Sequence, residues 1–183
     1  MAVEISDRFP RYTDFDPLVP VWCATPGETS ATHRFFDTSP ISPSGRYLGV
    51  TRLRTEDRMP EPGEAADILL VDLESGEERV VAETLGWDTQ MGAHVQWGAD
   101  DSELFFNDMD VEAWRPFGVK LDPASGERKE LKGTVYVVSP DGRQVASPAL
   151  LQMRLTQIGY GVVIPDDQIR TNHGAPEDDG LFV

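Results

Sequence analysis

The stretch WDTQMGAHVQWG, residues 87–98, brings together side chains that could bind or react. His94 is one of three histidines in the chain. Side chains of a strand alternate between two faces, so a strand here would place His94 and Gln96 on one face and Val95 and Trp97 on the other. An imidazole and an amide on one strand face need polar partners or water. We therefore expect His94 and Gln96 to bind a ligand.

An aromatic–Asp–Thr pattern occurs twice, in FDTSP (36–40) and in WDTQM (87–91). The Asp side chain in such a connection can cap backbone N–H groups while the aromatic residue packs between structural units. Alternatively, the carboxylates ring the mouth of a central channel. The sequence leaves both interpretations open, so Asp37, Thr38 and Asp88 are candidate ligand-binding residues.

Trp114 and Arg115 occur in a third candidate segment, MDVEAWRP (109–116), which is predicted to be a long connection between strands. An indole can stack on a sugar ring, and a guanidinium can bind a carboxylate. The two side chains could equally close the connection onto the sheet beneath it. Long connections on a rigid scaffold commonly carry binding residues, and 53–66 and 150–179 are the other two such segments.

Recurring turns identify the elements that must position these residues. Three tight turns end in Gly-Glu, and their glycines, Gly27, Gly76 and Gly126, are 49 and 50 residues apart. Glycine adopts a positive φ in a hairpin turn without steric cost. Polar turns that precede β-rich runs form a second set: SPSGRYLGV (42–50), GADDSELFF (98–106) and SPDGRQVAS (139–147). The intervening segments are rich in β-branched residues, so we predict an all-β chain.

The spacing predicts four-stranded antiparallel units of about 40–50 residues, the pattern of β-propeller blades. The expected strands are 38–42, 46–52, 67–73 and 78–84 in one unit, 92–97, 103–108, 117–121 and 128–132 in the next, and 134–139 and 143–149 in the third. The predicted organisation is an N-terminal extension at 1–18, two strands of a closing blade at 19–35, blades at 36–84 and 87–132, and an incomplete blade at 134–183 that contains a long insertion at 150–179.

The predicted ring is incomplete. The final DDGLFV (178–183) matches AADILLV (65–71), so we expect the last residues to begin the third strand of the incomplete blade. Propellers commonly have about four to eight blades. Closing the ring therefore requires further C-terminal blades or the association of several copies.

SPSGRYLGV and SPDGRQVAS resemble the turn between the first two strands of TolB-like and WD40-like β-propellers, and VDLESGEERVV (71–81) resembles their last hairpin. The resemblance covers about 19–149 and the final six residues. It implies a propeller fold and leaves the function open, because such propellers host many unrelated activities.

GAHVQWGADDSELFFND (92–108) is similar to a segment of the oligogalacturonate lyases, which are seven-bladed propellers. That family has a His-x-Gln strand near the axis, several metal-binding histidines and a separate basic residue. The resemblance implies that His94 and Gln96 bind substrate, with a divalent metal as cofactor and His94 as its candidate ligand. This chain departs from the family by reading NDMD (107–110) where those enzymes have His-Glu-Gly-Pro. A metal site needs several convergent ligands, so the residues themselves predict no metal or other cofactor.

The formal net charge of −16 bears on partners. A chain with this negative charge repels phosphate backbones and anionic lipids. We therefore expect neither a nucleic-acid partner nor a membrane partner. Cys23 is the single cysteine, which fits a reducing compartment. The first residues have neither the basic region nor the apolar region of a signal peptide. We expect a cytoplasmic protein.

Two functions of different classes follow from these patterns. The first is a ligand-binding or interaction module that uses the face with the long connections and the central channel, with a small molecule or an oligosaccharide as ligand. The second is a metal-assisted polysaccharide lyase of the oligogalacturonate type, or an inactive fragment of such an enzyme. Whether the chain is an enzyme is left open. Further histidines converging on His94 would favour the lyase.

Overall fold

The computed structural model describes residues 7–27, 30–171, 173–175 and 179–183. Parts of the predicted N-terminal extension, the first Gly-Glu turn and the insertion therefore lie outside the described residues. The described chain is nearly all-β, with three antiparallel sheets and one short α-helix, which confirms the prediction of a β-rich chain at the level of its sheets. No helix in the described ranges is long and apolar enough to cross a lipid bilayer.

The first sheet has the order β1-β2-β3-β4 and is antiparallel throughout. Its strands are β1 (Ala31–Thr32), β2 (Tyr47–Arg52), β3 (Ala66–Asp72) and β4 (Glu78–Thr84). Strand β3 reads ADILLVD and is buried on both faces. Alternation sends Ile68 and Leu70 into one apolar cluster and Leu69 and Val71 into another, so this strand lies in the middle of the packed structure.

The second sheet repeats this arrangement in the order β5-β6-β7-β8. Its strands are β5 (Gln96–Trp97), β6 (Leu104–Asp110), β7 (Arg115–Leu121) and β8 (Arg128–Glu130). The expected long connection at 109–116 is wrong, because β6 and β7 stay paired as far as Asp110 and Arg115. Four residues suffice for the turn because Trp114 takes a left-handed φ of 47° and the Asp110 side chain accepts hydrogen bonds from two N–H groups of the turn.

The third sheet has three strands in the described residues, in the order β11-β10-β9. They are β9 (Val137–Val138), β10 (Val145–Pro148) and β11 (Leu181–Phe182). Strand β11 pairs antiparallel with β10, through Ser147 with Phe182 and Pro148 with Leu181. The repeat predicted a strand at these residues, because the last residues match AADILLV (65–71).

The innermost predicted strands differ most from the structure. In place of a strand at 38–42 there is a single bridge between Ile41 and Leu48, because Pro40 offers no N–H and the Ser39 hydroxyl accepts the N–H of Ile41. Strand β1, predicted as part of another blade, pairs instead with the end of β2. The strand expected at 92–97 shortens to β5.

Apolar side chains from the facing first and second sheets form the main core. Its fully or largely buried members are Leu53, Ala66, Ile68, Leu70, Trp87, Ala93, Val95, Leu104, Phe106, Phe117, Val119 and Leu121. Core side chains of this kind hold the two sheets in a fixed orientation, because a packed interior resists sliding. That orientation fixes the connection between β4 and β5.

The insertion after β10 is packed against the second sheet. It begins with helix α1 (Leu150–Met153) and contains a 3-10 turn at Asp166–Gln168. Leu150, Val162 and Ile164 are buried in one cluster with Met109 of β6. The insertion is therefore a structural part of the molecule.

Candidate functional site

The connection between β4 and β5 is shaped by one aspartate. Asp88 Oδ1 accepts hydrogen bonds from the N–H groups of Gln90, at 2.9 Å, and Met91, at 2.6 Å. The Asp88 N–H donates to the carbonyl of Gly92 at 3.0 Å. Gly92 has a φ of 59°, and a Cβ there would overlap the Thr51 hydroxyl. These contacts fix a tight turn immediately before His94.

His94 follows that turn with a φ of 59°, so its side chain leaves the regular alternation of the strand. The side chain is 1% exposed, and its Nε2 lies 3.6 Å from Asp88 Oδ2. Neither ring nitrogen of His94 nor Asp88 Oδ2 has a hydrogen-bond partner in the described part of the chain. The carboxylate and the imidazole thus face each other, and both are buried.

Arg34 and Tyr136 adjoin this pair from the other two sheets. The Tyr136 ring centroid lies 5.3 Å from that of His94, and the guanidinium carbon of Arg34 lies 4.2 Å from the Tyr136 centroid. Arg34 Nη2 donates to Asp37 Oδ2 at 2.9 Å, whereas its Nε and Nη1 are buried without a partner among the described residues. We call Arg34, Asp88, His94 and Tyr136 the buried polar group.

Each sheet contributes to the buried polar group from the chain segment that adjoins its first strand. Arg34 lies just after β1, Asp88 and His94 just before β5, and Tyr136 just before β9. Five buried nitrogen and oxygen atoms of the group lack partners in the described ranges. Burying polar atoms without hydrogen bonds costs free energy, so such a concentration is a signature of a functional site.

Gln96 holds the sheets together at this point. Its Nε2 donates to the carbonyls of His94, at 3.1 Å, and Tyr136, at 2.9 Å. Its Oε1 accepts the N–H of Val138 at 3.2 Å. The Gln96 amide, which the sequence predicted to bind a ligand, therefore forms its hydrogen bonds with the backbone of the second and third sheets.

The two aromatic–Asp–Thr segments have different surroundings. Trp87 is 2% exposed, whereas Phe36, at the same place in the pattern, is 97% exposed. Asp37 is half-exposed and pairs with Arg34, and Thr38 is half-buried in a turn. In the second segment Asp88 therefore caps the backbone and Trp87 is packed. In the first segment Asp37 is instead the counter-ion of the buried Arg34 guanidinium.

Trp114 and Arg115 lie at the β6–β7 turn and make their contacts away from the buried polar group. The Trp114 indole packs on the cluster that anchors the insertion. Arg115 is exposed and lies 3.7 Å from Asp110. The closing of the turn onto the sheet, one of the two alternatives for this pair, fits these contacts.

The described residues do not supply a set of metal ligands. His33 and His173 are both exposed, and no group of three or more His, Cys, Asp or Glu side chains within the described ranges is arranged to hold a metal ion. A protein metal site of the zinc or manganese type uses several such ligands. His94 and Asp88 alone do not fit a resident metal.

Part of the insertion, residues 157–161, contacts residues that are next to Asp88 and Arg34 in the chain. The Thr89 hydroxyl donates to the Gly159 carbonyl at 3.3 Å, next to Asp88. The Tyr160 ring lies 5.7 Å from that of Phe35, next to Arg34. We call residues 157–161 the covering segment, because its contacts adjoin the polar group from two sides.

A larger opening lies elsewhere. An open groove of about 800 Å³ runs between the ends of the second and third sheets, lined mainly by apolar side chains such as Leu131, Leu151, Phe182 and Val183. None of the candidate binding residues lines it. Size alone favours the groove, but the unpartnered polar atoms mark the buried polar group, and we therefore treat the latter as the candidate site.

Sequence reasoning missed Arg34 and Tyr136. The available signal for Arg34 was an arginine next to two phenylalanines in ATHRFF (31–36), with an acid three residues later. Such a pair commonly forms when the arginine is drawn inward. Tyr136 carried no local signal, because it reaches the site through the packing of the third sheet against the second.

Comparison with known proteins gives structural neighbours only. No protein-family model and no curated protein matches the chain. An oligogalacturonate lyase in complex with manganese is 16% identical at a TM-score of 0.30, over 67% of this chain and 46% of that one. An oligogalacturonate lyase from Vibrio parahaemolyticus is 15% identical at a TM-score of 0.29, over 78% of this chain and 61% of that one. The chain thus spans less than two thirds of either neighbour, and likeness at this level assigns it no activity and no site residues.

Proposed function

We propose that the three sheets are successive blades of a β-propeller and that the buried polar group binds a small, hydroxyl-bearing ligand such as a carbohydrate. Both four-stranded sheets follow chain order from their first strand to their fourth, and the third sheet follows the same order for three strands. The first strands of the second and third sheets, β5 and β9, lie next to each other. In a propeller the first strands surround the axis.

The single observation that carries the binding proposal is the set of five unpartnered, buried atoms on Arg34, Asp88 and His94. Guanidinium N–H groups donate, a carboxylate oxygen accepts, and a neutral imidazole does one of each. A sugar hydroxyl both donates and accepts, so a few hydroxyls satisfy this mixed set. Binding would thereby recover the free energy that the folded chain loses at these atoms.

The covering segment gives the ligand a route of entry. Its contacts at this site include one 3.3 Å hydrogen bond and one aromatic pair, and Gly161 lies close to the backbone of Leu150 and Arg154. Gly159 and Gly161 flank Tyr160 with left-handed φ values of 90° and 73°. Outward movement of this segment exposes the buried polar group while the sheets stay in place.

A ligand-induced shift in melting temperature tests the proposal. The full chain is heated with each member of a panel of neutral, uronic and amino disaccharides. A bound ligand at a hundredfold above its Kd raises the free energy of unfolding by about 2.7 kcal/mol and therefore raises the melting temperature. The variant His94→Asn tolerates the positive φ, and it should abolish the shift. The matched control is His33→Asn, at an exposed histidine, which should keep it. Failure of every sugar to shift the wild-type protein overturns the proposal.

A propeller commonly has about four or more blades, so we further propose that sheets beyond these three complete the ring. Size-exclusion chromatography with light scattering tests whether copies of this chain supply them. A discrete oligomer supports the closing of the ring by several copies of this chain, and a well-behaved monomer overturns it.

A further inference from the structure

We infer that the ligand of the buried polar group is uncharged, and that acidic sugars are excluded. This inference rests on the proposed function, because it names the class of ligand for the same site. It is carried by the charges of Arg34, Asp37, Asp88 and His94, and by which of these groups are already paired.

The one cation of the buried polar group is already matched. Arg34 Nη2 lies 2.9 Å from Asp37 Oδ2. Two carboxylates, Asp37 and Asp88, thus stand against a single guanidinium. His94 adds a positive charge only when it is protonated, and Asp88 Oδ2 at 3.6 Å is then its counter-ion. In neither protonation state is a positive charge left over for an anionic ligand.

An anion entering the site would meet the free oxygen of Asp88. Asp88 and His94 are each 1% exposed, so little water screens the repulsion between two carboxylates there. A hydroxyl has the opposite property, since it can donate to Asp88 Oδ2 and accept from Arg34 Nε or Nη1 without adding charge. The donor and acceptor set therefore selects hydroxyl groups over carboxylates.

Calorimetric titration of the full chain with matched sugar pairs tests the inference. Each pair is a neutral disaccharide and its uronic-acid counterpart of the same configuration, in both the galacto and the gluco series. We expect the neutral member of the pair that binds to have at least a tenfold lower Kd than its acidic counterpart. Equal or tighter binding of the uronic acid overturns the inference and leaves the proposed function standing. Tightest binding of an amino disaccharide in the same assay also overturns it.

The variant Asp88→Asn links the preference to its cause. It removes the charge and keeps an oxygen that can accept from Gln90 and Met91, so the preference for the neutral sugar should shrink at least threefold. Asp141→Asn, in an exposed turn, is the charge-matched control and should leave the preference unchanged. An unchanged preference in Asp88→Asn overturns the inference. Absence of binding to any sugar in the wild type overturns the proposed function as well.

Discussion

Nε2 of His94 lies 3.6 Å from Oδ2 of Asp88, and both atoms are buried without a hydrogen-bond partner in the described part of the chain. The other oxygen of the same carboxylate, Oδ1, is fully used by the N–H groups of Gln90 and Met91. One side chain therefore has two separate tasks. Oδ1 folds the connection between two sheets, and Oδ2 faces the imidazole.

Substitutions at Asp88 should separate these two tasks. Asp88→Asn keeps an acceptor for the turn and removes a buried charge, so we expect its free energy of unfolding to stay within about 1 kcal/mol of the wild type. Asp88→Ala loses both backbone hydrogen bonds and should cost about 1–3 kcal/mol. Urea unfolding at pH 7 measures both. An Asn variant as unstable as the Ala variant would contradict the separate roles of Oδ1 and Oδ2 of Asp88.

Asp67 should make the first sheet sensitive to acid. Burial by itself would raise the pKa of Asp67, but hydrogen bonds from Arg54 and Arg52 outweigh it and hold the pKa below its ordinary value. Since the folded pKa is the lower one, the stabilisation is complete above the unfolded pKa of about 3.9 and is lost as the pH falls through the folded pKa.

Asp67→Asn should therefore destabilise the protein by about 1–3 kcal/mol at pH 7, because the two guanidinium groups lose their charged acceptor. The difference from wild type should shrink as the pH is lowered below about 4. Chemical unfolding at a series of pH values measures it, with the exposed Asp57→Asn as control. A difference that stays constant down to pH 2 would argue against this role.

Gly92 should be intolerant of a side chain. Its φ is 59°, and a Cβ would overlap the Thr51 hydroxyl, which accepts the Ala93 N–H at 2.9 Å. Strain and displacement of Thr51 together should make Gly92→Ala cost about 2 kcal/mol or more. Gly133→Ala, where a Cβ meets nothing within 4 Å, should be near neutral. Thermal unfolding compares the two, and equal effects would contradict the close approach.

The insertion should contribute to global stability. Ile164 is fully buried with Leu150 and Met109, so Ile164→Ala should cost about 2–5 kcal/mol. Ile158, in the same insertion, is 83% exposed, and Ile158→Ala should change stability little. Urea unfolding measures both variants. If Ile164→Ala were also silent, the insertion would be an independent loop.

Tyr160 should control how readily the covering segment opens. Removing its ring contact with Phe35 in Tyr160→Ala should speed amide hydrogen exchange at residues 157–161, because a weakly held segment opens at low free energy. Exchange in β6, inside the main core, should be unchanged. Exchange resolved by peptide mass spectrometry measures both segments. A uniform change across the chain would indicate global destabilisation instead.

The sheets were more predictable from the sequence than the site. Turn residues and β-branched runs are local signals, and the repeat related Leu181 and Phe182 to strand β3 across more than one hundred positions. The four-residue turn before Arg115 was hidden, because no glycine marks it and Trp114 itself adopts the left-handed conformation. Tryptophan rarely adopts a left-handed φ, so its presence in a sequence does not predict a turn.

The candidate site depended on contacts that no local pattern carries. His94 was found because strand alternation paired it with Gln96 on one face, yet its positive φ takes its side chain out of that alternation. Arg34 and Tyr136 are 102 residues apart in the chain and meet only because three sheets converge. The main core orients the first two sheets, and Tyr136 packs against the separate cluster that contains Met109. Packing of apolar residues therefore decides which polar residues meet.

The hydrogen bonds of Gln96 have an evolutionary consequence. All three of its partners, at His94, Tyr136 and Val138, are main-chain atoms, and these atoms remain when the side chains mutate, except that proline at 138 would remove an N–H. Any residue except proline at position 138 keeps this hydrogen bond, whereas substitution at position 96 breaks the link between two sheets. Among descendants of this sequence, selection would keep the amide at 96 while its neighbour at 138 diverges.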